Sequence, residues 1–239
     1  MTSTPLTTWD ISVIIPTLNE EGMIRQLGTD LGQHDGEIIL VDGGSTDQTV
    51  AVAREAGFRV IHCPAGRGRQ LNLGAASSRG KILLFLHADT RVPATFGPDI
   101  LHCLATKTPL VGAFRLGVDQ GDAMLRLVVF FSNLRSTLLR LPYGDQALFM
   151  RRTTFDRLGT FPDLEIMEDF ALIRRARRLG RVITINRSVM TSPRRWQRHG
   201  VIRTTLINQL MILGFLAGVP AKTLALLYRR GLLFSRFFQ

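Results

Sequence analysis

Four short apolar runs in the first ninety residues constrain the fold of this chain more than any other feature. They lie at Ile11–Ile15, Glu37–Val41, Phe58–Cys63 and Ile82–Leu86. Runs of this length are typical of strands that are buried on both faces of a parallel sheet. Stretches with helical spacing separate them, at Glu21–Leu31, Thr49–Ala56 and Gln70–Ser78. The alternation predicts an α/β fold, with a mostly parallel, Rossmann-like sheet flanked by helices.

The second half of the chain is less regular. We predict strands at Leu110–Val118, Ala147–Arg151 and Val182–Met190, and helices at Ala123–Leu139 and Glu168–Leu179. From residue 201 the sequence becomes both apolar and basic. We therefore predict a single domain over residues 1–200, followed by a C-terminal extension of apolar, basic helices over residues 201–239.

Charge is distributed unevenly along the chain. Residues 1–169 hold 16 Lys or Arg and all 19 Asp or Glu, whereas residues 170–239 hold 14 Lys or Arg and no acid. Such a basic segment indicates an anionic partner, which could be nucleic acid, anionic lipid or a phosphorylated substrate. Few aromatic residues lie among the arginines and no nucleic-acid-binding module is recognisable, so we do not expect a nucleic-acid partner.

The basic segment also contains a long uncharged stretch, Thr204–Ala221. Its eighteen residues reach the lower limit for a membrane span, but Asn208, Gln209 and Pro220 interrupt it. A core helix or an interfacial hairpin fits better than a full membrane span. Two cysteines without CxxC spacing indicate a reducing compartment, and the N-terminus shows no signal peptide. We predict a cytoplasmic protein that is peripheral on the inner face of an anionic membrane.

Polar residues follow each of the four predicted N-terminal strands. They are Pro16–Glu21, Asp42–Asp47, the basic loop Gly66–Arg69 and His87–Asp89. Ligands of open α/β sheets bind beyond the carboxyl ends of the strands, so these segments should form one crevice. Carboxylates there suit Mg²⁺ or Mn²⁺ bound to phosphate oxygens, and Arg67 and Arg69 suit a diphosphate. The pattern favours a nucleotide diphosphate as ligand.

The segments Ser12–Glu20 and Val41–Asp47 resemble the start of the family 2 glycosyltransferases, which have the GT-A fold. The spacing to His87–Thr90 and to Glu168-Asp169 is also similar. The loop Gly66–Asn72 and the segment Tyr143–Gln146 resemble a compact bacterial subfamily, the transferases associated with radical-SAM and selenium-related domains. The resemblance covers roughly residues 11–200.

The resemblance implies roles for individual residues. Pro16, Glu20 and Asp42 would line the nucleotide pocket. Asp89 matches the last acid of the family's metal motif, where it would hold Mg²⁺ or Mn²⁺, and His87 stands at the position of the earlier acid. Asp169 matches the catalytic base, and Arg195-Trp196 matches the Arg-Trp of a later motif in the donor site.

The function that these roles imply is metal-dependent, inverting transfer of a hexose from a nucleotide-sugar donor, with UDP-sugar as the expected donor. The basic, apolar extension indicates a lipid-like acceptor, although a small molecule remains open, and a carotenoid acid is one candidate. A nucleotidyltransferase is a rival interpretation, but its Gly-rich loop normally follows the first strand. A catalytically inactive protein that binds membrane surfaces is the other rival.

Overall fold

The computed structural model describes residues 5–119 and 121–233. The strands are β1 (Ile11–Thr17), β2 (Ile38–Asp42), β3 (Arg59–His62), β4 (Ile82–Phe85), β5 (Thr90–Arg91), β6 (Val111–Val118), β7 (Leu148–Arg151) and β8 (Val182–Thr191). The α-helices are α1 (Glu21–Leu31), α2 (Thr49–Glu55), α3 (Arg67–Ser77), α4 (Phe96–Thr106), α5 (Ala123–Leu138), α6 (Arg152–Arg157), α7 (Glu168–Leu179), α8 (Arg194–His199), α9 (Val201–Leu216) and α10 (Ala221–Leu233). Residues 234–239 of the predicted extension, which include Arg236, lie outside the described residues.

One eight-stranded sheet carries the fold, in the order β3-β2-β1-β4-β7-β6-β8-β5. Strands β3, β2, β1 and β4 run parallel, and so do β6 and β8, whereas the remaining pairs are antiparallel. The chain moves outward from β1 to β3 and then returns to the other side of β1 at β4. The crevice expected at this reversal lies beyond the carboxyl ends of β1 and β4. The prediction of a mostly parallel α/β sheet flanked by helices is confirmed.

The core consists of two apolar layers, one on each face of the sheet. Val13 and Ile15 point to the layer that α1, α2 and α4 cover, while Ile14 points to the layer that α3, α6 and α7 cover. This alternation follows from the two-residue period of a strand. It explains why β1 is apolar almost throughout, since both of its faces are buried.

The basic segment Gly66–Arg69, predicted as a loop, begins a helix instead. Helix α3 starts at Arg67, three residues before the predicted helix. Gly66 precedes it with φ = 157°, and Gly68 approaches the carbonyl of Pro162 so closely that a Cβ would lie 2.9 Å from its oxygen. Gly68 therefore permits this close approach, although the composition of the segment is typical of a loop.

The C-terminal helices pack on one another and on one side of the sheet domain. Helix α9 contacts α8, α10 and α5, and the ring of Phe215 meets that of Phe170 in α7 edge-on at 5.8 Å. No helix within the described ranges is long and apolar enough to cross a membrane.

Candidate active site

A pocket of about 320 Å³ lies between the sheet domain and the C-terminal helices. Its floor comes from the first turn of α3, the end of β4, the Tyr143–Asp145 segment and the start of α7, and its far wall comes from α9 and α10. Its polar lining includes Arg67, His87, Asp89, Tyr143, Asp145, Glu168, Asp169, Arg195, Asn208 and Tyr228. The predicted residues Arg67, Asp89, Asp169, Arg195 and Trp196 therefore come together here.

Arg67 lies at the centre of the charged floor. Its Nε is 3.1 Å from Oε1 of Glu168, and its guanidinium contacts Nε2 of His87. Burial alone would lower the pKa of Arg67, but the carboxylates of Glu168, Asp169 and other acids of the pocket raise it above the ordinary value. A permanent positive charge is thus held within a group of carboxylates.

Backbone groups fix the carboxylate of Asp169. The N–H of Gly144 donates to its Oδ2 at 2.6 Å, and the N–H of Phe170 donates to Oδ1 at 2.7 Å. A Cβ at position 144 would lie 2.8 Å from Oδ2 of Asp169 and 2.9 Å from Nε2 of His87, so a larger residue there would displace these side chains. Each carboxylate oxygen keeps a further lone pair, so the group can still accept a proton or hydrogen bond.

Two neighbouring carboxylates have raised pKa values. Burial raises the pKa of Glu168, and the charge of Asp169 raises it further, while Arg67 opposes both. Burial also raises the pKa of Asp145, against the effect of Arg135. Like charges crowded in one pocket disfavour full ionisation of all of them. These two carboxyl groups therefore keep their protons to a higher pH than free side chains do.

His87 is neutral near pH 7. Burial lowers the pKa of its imidazole well below the usual value, and the charges of Arg67 and Arg195 lower it further. Its Nδ1 is 4.0 Å from Oδ1 of Asp89. A neutral imidazole beside a carboxylate can contribute a nitrogen lone pair or an N–H group, but no positive charge.

The residues at the pocket suit a divalent metal that takes most of its ligands from its substrate. Within the described parts of the chain, no group of three or more His, Cys, Asp or Glu side chains is arranged to hold a metal ion. Mg²⁺ commonly binds one or two carboxylates together with phosphate oxygens and water. The partly exposed carboxylate of Asp89 fits that role, with His87 beside it.

The residues predicted to bind the nucleoside lie at the ends of β1 and β2, outside the lining of this pocket. Asp42 is almost fully buried, and its carboxylate accepts hydrogen bonds from the N–H groups of Gly44 and Ser45. Although burial acts to raise the pKa of Asp42, these hydrogen bonds hold it below its ordinary value. Pro16 pairs with Val41 across the two strands.

The side-chain amide of Gln70, in α3, ties the two strand ends together. It donates to the carbonyls of Thr17 at 2.9 Å and Val41 at 2.8 Å. The carboxylate of Glu20, just past β1, accepts from Nη2 of Arg194 at 2.9 Å. This ion pair links the end of β1, where we predict the nucleoside, to α8.

Arg69 is the one predicted residue that the structure does not bring to either place. Its Nε and Nη2 donate to the two carboxylate oxygens of Asp163, both at 2.8 Å. On a helix, neighbouring residues point in different directions. Arg67 and Arg69 therefore cannot both face the pocket.

A family model described as glycosyl transferase family 2 matches residues 12–176, which is more than half of the chain. The chain belongs to glycosyl transferase family 2. The matched range includes all the residues of the pocket floor, and it ends before α8, α9 and α10. The predicted family is confirmed.

Curated relatives match this family 2 chain over part of its length. A PGL/p-HBAD biosynthesis glycosyltransferase of Mycobacterium bovis is 30% identical over 165 residues, which cover 63% of this chain and 62% of the relative. A 4,4'-diaponeurosporenoate glycosyltransferase of Staphylococcus haemolyticus is 35% identical over 96 residues, covering 36% of this chain and 26% of the relative. The chain thus spans less than two thirds of the length of either relative.

Solved structures share the fold. S. aureus TarS superposes with a TM-score of 0.62 at 20% identity, covering 82% of this chain and 65% of TarS. Glucosyl-3-phosphoglycerate synthase from Mycobacterium tuberculosis, in complex with Mn²⁺, UDP and glucosyl-3-phosphoglycerate, superposes with a TM-score of 0.58 at 23% identity, covering 83% and 78% of the two chains. The predicted GT-A fold of the family 2 chain is confirmed.

Sequence reasoning missed the far wall of the pocket. Asn208, Met211 and Ile212 of α9, with Ala225 and Tyr228 of α10, line it. The hydroxyl of Tyr228 accepts from Nη1 of Arg195 at 2.9 Å. No motif marks these residues, because their contribution depends on how two apolar helices fold back over the domain.

A larger depression, of about 690 Å³, lies elsewhere on the molecule, between α1, β5 and α4. It contains none of the predicted site residues. Its arginine, Arg91, is already paired with Asp30 at 2.7 Å and lies 3.5 Å from Asp119. A choice of site by volume alone would therefore select this depression and miss the group of charged residues that the family 2 motifs identify.

Proposed function

We propose that this chain transfers a sugar, a hexose, from a nucleotide-sugar donor to an acceptor hydroxyl or carboxylate, with inversion at the anomeric carbon. The observation that carries the proposal is the meeting of Asp89, Arg67 and Asp169 in one pocket beside the reversal in strand order. A crevice at that point of an α/β sheet is the expected ligand site.

The donor is a UDP-sugar, whose nucleoside lies along the ends of β1 and β2. Pro16, Glu20 and Asp42 line this part of the site, and the buried amide of Gln70 keeps the two strand ends in place. The glucosyl-3-phosphoglycerate synthase that shares the fold has been captured with UDP and Mn²⁺, which supports this choice of donor.

The diphosphate lies between Asp89 and the arginines of the pocket. Asp89 would hold Mg²⁺ or Mn²⁺, which supplies positive charge against the leaving diphosphate. The fixed charge of Arg67 lies on the same side of the pocket, and Arg195 lines it as well. Charges placed in advance where negative charge develops lower the barrier without reorganisation during the reaction.

Asp169 acts as the base. The acceptor oxygen forms a bond to the anomeric carbon while the bond from that carbon to the diphosphate oxygen breaks, and the acceptor's proton, where it is a hydroxyl, passes to Asp169. A single displacement of this kind inverts the anomeric configuration. The two backbone donors hold the carboxylate in one orientation, and a base at hydrogen-bond distance contributes about 10²–10⁴-fold to rate.

The acceptor is lipid-like and enters against the far wall. Met211, Ile212 and Ala225 give that wall apolar surface. The buried polar atoms of the pocket that have no hydrogen-bond partner among the described residues include Oδ1 of Asp145 and Nε1 of Trp196. An amphiphile could form hydrogen bonds to these polar atoms through its polar end group and cover the apolar wall with its hydrocarbon part. The staphylococcal relative's name supports a carotenoid acid as one such acceptor.

The C-terminal helices hold the enzyme on the inner, cytoplasmic face of a membrane. Ile202, Leu206, Leu210 and Leu213 of α9 are more than half exposed. Residues 170–239 add fourteen cations and no carboxylate. Basic residues near an anionic surface contribute about 1 kcal/mol each, and exposed apolar side chains can enter the boundary layer.

Turnover with a panel of UDP-, GDP- and dTDP-hexoses, each with Mn²⁺ and a bacterial lipid extract, tests the proposal. We expect a nucleoside diphosphate and a glycosylated lipid as products, with UDP-hexose preferred. Release of pyrophosphate would instead identify a nucleotidyltransferase. Binding of vesicles without turnover of any donor would identify an inactive membrane-binding protein.

A further inference from the structure

Helix α5 turns its apolar side outward. Met124, Leu127, Phe131, Leu134 and Leu138 recur every three or four residues, which places them along one side of the helix. Their exposed fractions run from 40% for Leu134 to 68% for Leu138. A surface helix of a globular protein normally buries such a stripe.

The opposite side of α5 is buried through polar contacts. The amide of Asn133 accepts from the N–H of Leu116 at 2.8 Å and donates to the carbonyl of Leu116 at 2.9 Å. Ser136 is also buried, and its hydroxyl accepts from the side chain of Gln146. The sheet domain thus holds α5 by these hydrogen bonds and by the buried side chain of Leu125, and the apolar stripe stays largely exposed.

Helix α9 lies next to α5 and exposes a second stripe. Ile202, Leu206, Leu210 and Leu213 are 58–62% exposed, whereas Thr204 and Met211 on the other side are buried. The two helices are in contact. Two apolar stripes on neighbouring helices make a candidate docking face far larger than scattered surface leucines would.

The charged residues within α5, α9 and α10 are all positive. Residues 123–144, like residues 170–239, contain no Asp or Glu. Arg126 and Arg140 of the first segment are exposed, as are Arg229 and Arg230 of α10. An apolar face flanked mainly by cations, with Asp122 at the N-cap of α5 as the exception, complements an anionic lipid surface. It does not complement itself, as a symmetric dimer would require.

We propose that α5 and α9 together form one docking face for an anionic lipid bilayer. The proposal rests on the membrane association in the proposed function and extends it from the C-terminal extension into the sheet domain. Because the other side of α9 lines the pocket through Asn208, Met211 and Ile212, docking brings the acceptor site next to the lipid.

Sedimentation of the full chain with vesicles tests this face. The vesicles contain phosphatidylglycerol and phosphatidylcholine, or phosphatidylcholine alone. The α5 variant is Leu127→Gln with Phe131→Gln, and the α9 variant is Leu206→Gln with Leu213→Gln. The matched control is Leu179→Gln, whose side chain is 59% exposed at the end of α7 and outside both stripes.

We expect each double variant to partition about tenfold or more weakly into the anionic vesicles than the wild type, since each loses apolar surface that would leave water. The control should bind like the wild type. An α5 variant that pellets normally while the α9 variant does not would overturn the proposal, and so would a wild type that stays in the supernatant. A wild-type dimer in light scattering that both double variants dissociate would show instead that a second copy covers the face.

Calorimetric titration with UDP separates this proposal from the proposed function. The double variants should bind UDP like the wild type, because none of the changed residues lines the pocket. A wild type that pellets with vesicles but binds no UDP would refute the donor assignment and leave the docking face standing.

Discussion

Helices α1 and α9 both carry apolar residues at helical spacing, yet the structure uses them in opposite ways. Ile24, Leu27 and Leu31 of α1 are almost completely buried against the sheet, whereas Leu206 and Leu210 of α9 are more than half exposed. Apolar content therefore does not by itself identify core. In the docking that we propose, lipid would cover the exposed apolar surface of α9.

The two halves also differ in charge, and the pocket lies where they meet. All the carboxylates lie in residues 1–169, including Asp89, Asp145 and Asp169 at the pocket. The C-terminal half contributes Arg195 and an apolar wall. This division suits a reaction that joins a charged, metal-bound donor to an amphiphilic acceptor. The following predictions test the division, from the largest expected effect to the smallest.

Removal of divalent metal should have the largest effect. Asp89 has no second acid beside it in the His87–Asp89 segment, so we expect the ion to be held largely by the donor and to be removed easily. Turnover should disappear in EDTA and return with excess Mn²⁺, while vesicle binding should not change. Full activity in chelator would show that Arg67 and Arg195 alone neutralise the leaving group.

Replacement of the base should come next. Asp169→Asn retains the shape but removes the proton acceptor, so kcat should fall by about 10²-fold or more with little change in donor affinity. Asp163→Asn is the matched control, because Asp163 is exposed and paired with Arg69. Stopped-flow or steady-state kinetics would measure both.

The N–H groups of Gly144 and Phe170 each donate to one carboxylate oxygen of Asp169. In Asp169→Asn one of these oxygens becomes an NH₂ group, so one backbone donor loses its acceptor and stability could fall. Thermal unfolding of Asp169→Asn therefore accompanies the kinetics. A near-normal kcat in a folded variant would assign the role of base to another carboxylate. Asp145 is the first candidate, because its buried Oδ1 has no hydrogen-bond partner among the described residues.

Loss of the nucleoside contact should have a smaller effect. Asp42→Ala should weaken UDP binding by about tenfold, the worth of one hydrogen bond to a charged group. Calorimetric titration would measure it, with Asp35→Ala as a control at an exposed carboxylate away from both strand ends. Unchanged affinity in the Asp42 variant would remove this residue from the donor site.

The sequence predicts the sheet half well because its signals are local. Buried parallel strands must be apolar on both faces, so β1, β2 and β4 are visible as runs, and the residues after them must meet at one edge. Asp89 and Asp169 are far apart in sequence, and their meeting could be predicted only through the family resemblance.

Other features depend on packing that no short pattern encodes. The first turn of α3 follows Gly66 and contains Arg67, Gly68 and Arg69, a composition typical of a loop, yet Gly68 packs closely against Pro162. The far wall of the pocket and the outward stripe of α5 are also invisible in the sequence. An amphipathic pattern gives the direction of the apolar side but not whether protein or lipid covers it.

Added salt should weaken vesicle binding more than UDP binding, by a modest factor. The docking face depends on attraction between its cations and anionic lipid. Salt screens charges that are more than a Debye length apart, and this length is about 10 Å at 0.1 M salt. We expect binding to anionic vesicles to fall several-fold between low and physiological salt. The apolar stripes should account for the binding that remains. UDP binding, which we propose for a partly buried site, should change less. Equal loss of both would indicate nonspecific attraction to any anion.

The smallest expected effect is on stability, and it compares the two kinds of leucine by the same substitution. Leu84 of β4 is fully buried and Leu210 of α9 is 59% exposed. Leu84→Ala should lower the free energy of unfolding by about 2–5 kcal/mol, because it leaves a cavity in the core. Leu210→Ala should change it by less than about 0.5 kcal/mol, as surface substitutions usually do. Urea unfolding in detergent-free buffer would measure both. A loss of more than about 2 kcal/mol for Leu210→Ala would mean that Leu210 is core in solution, either within the chain or against a second copy, and the exposed stripe of α9 would no longer be available to lipid.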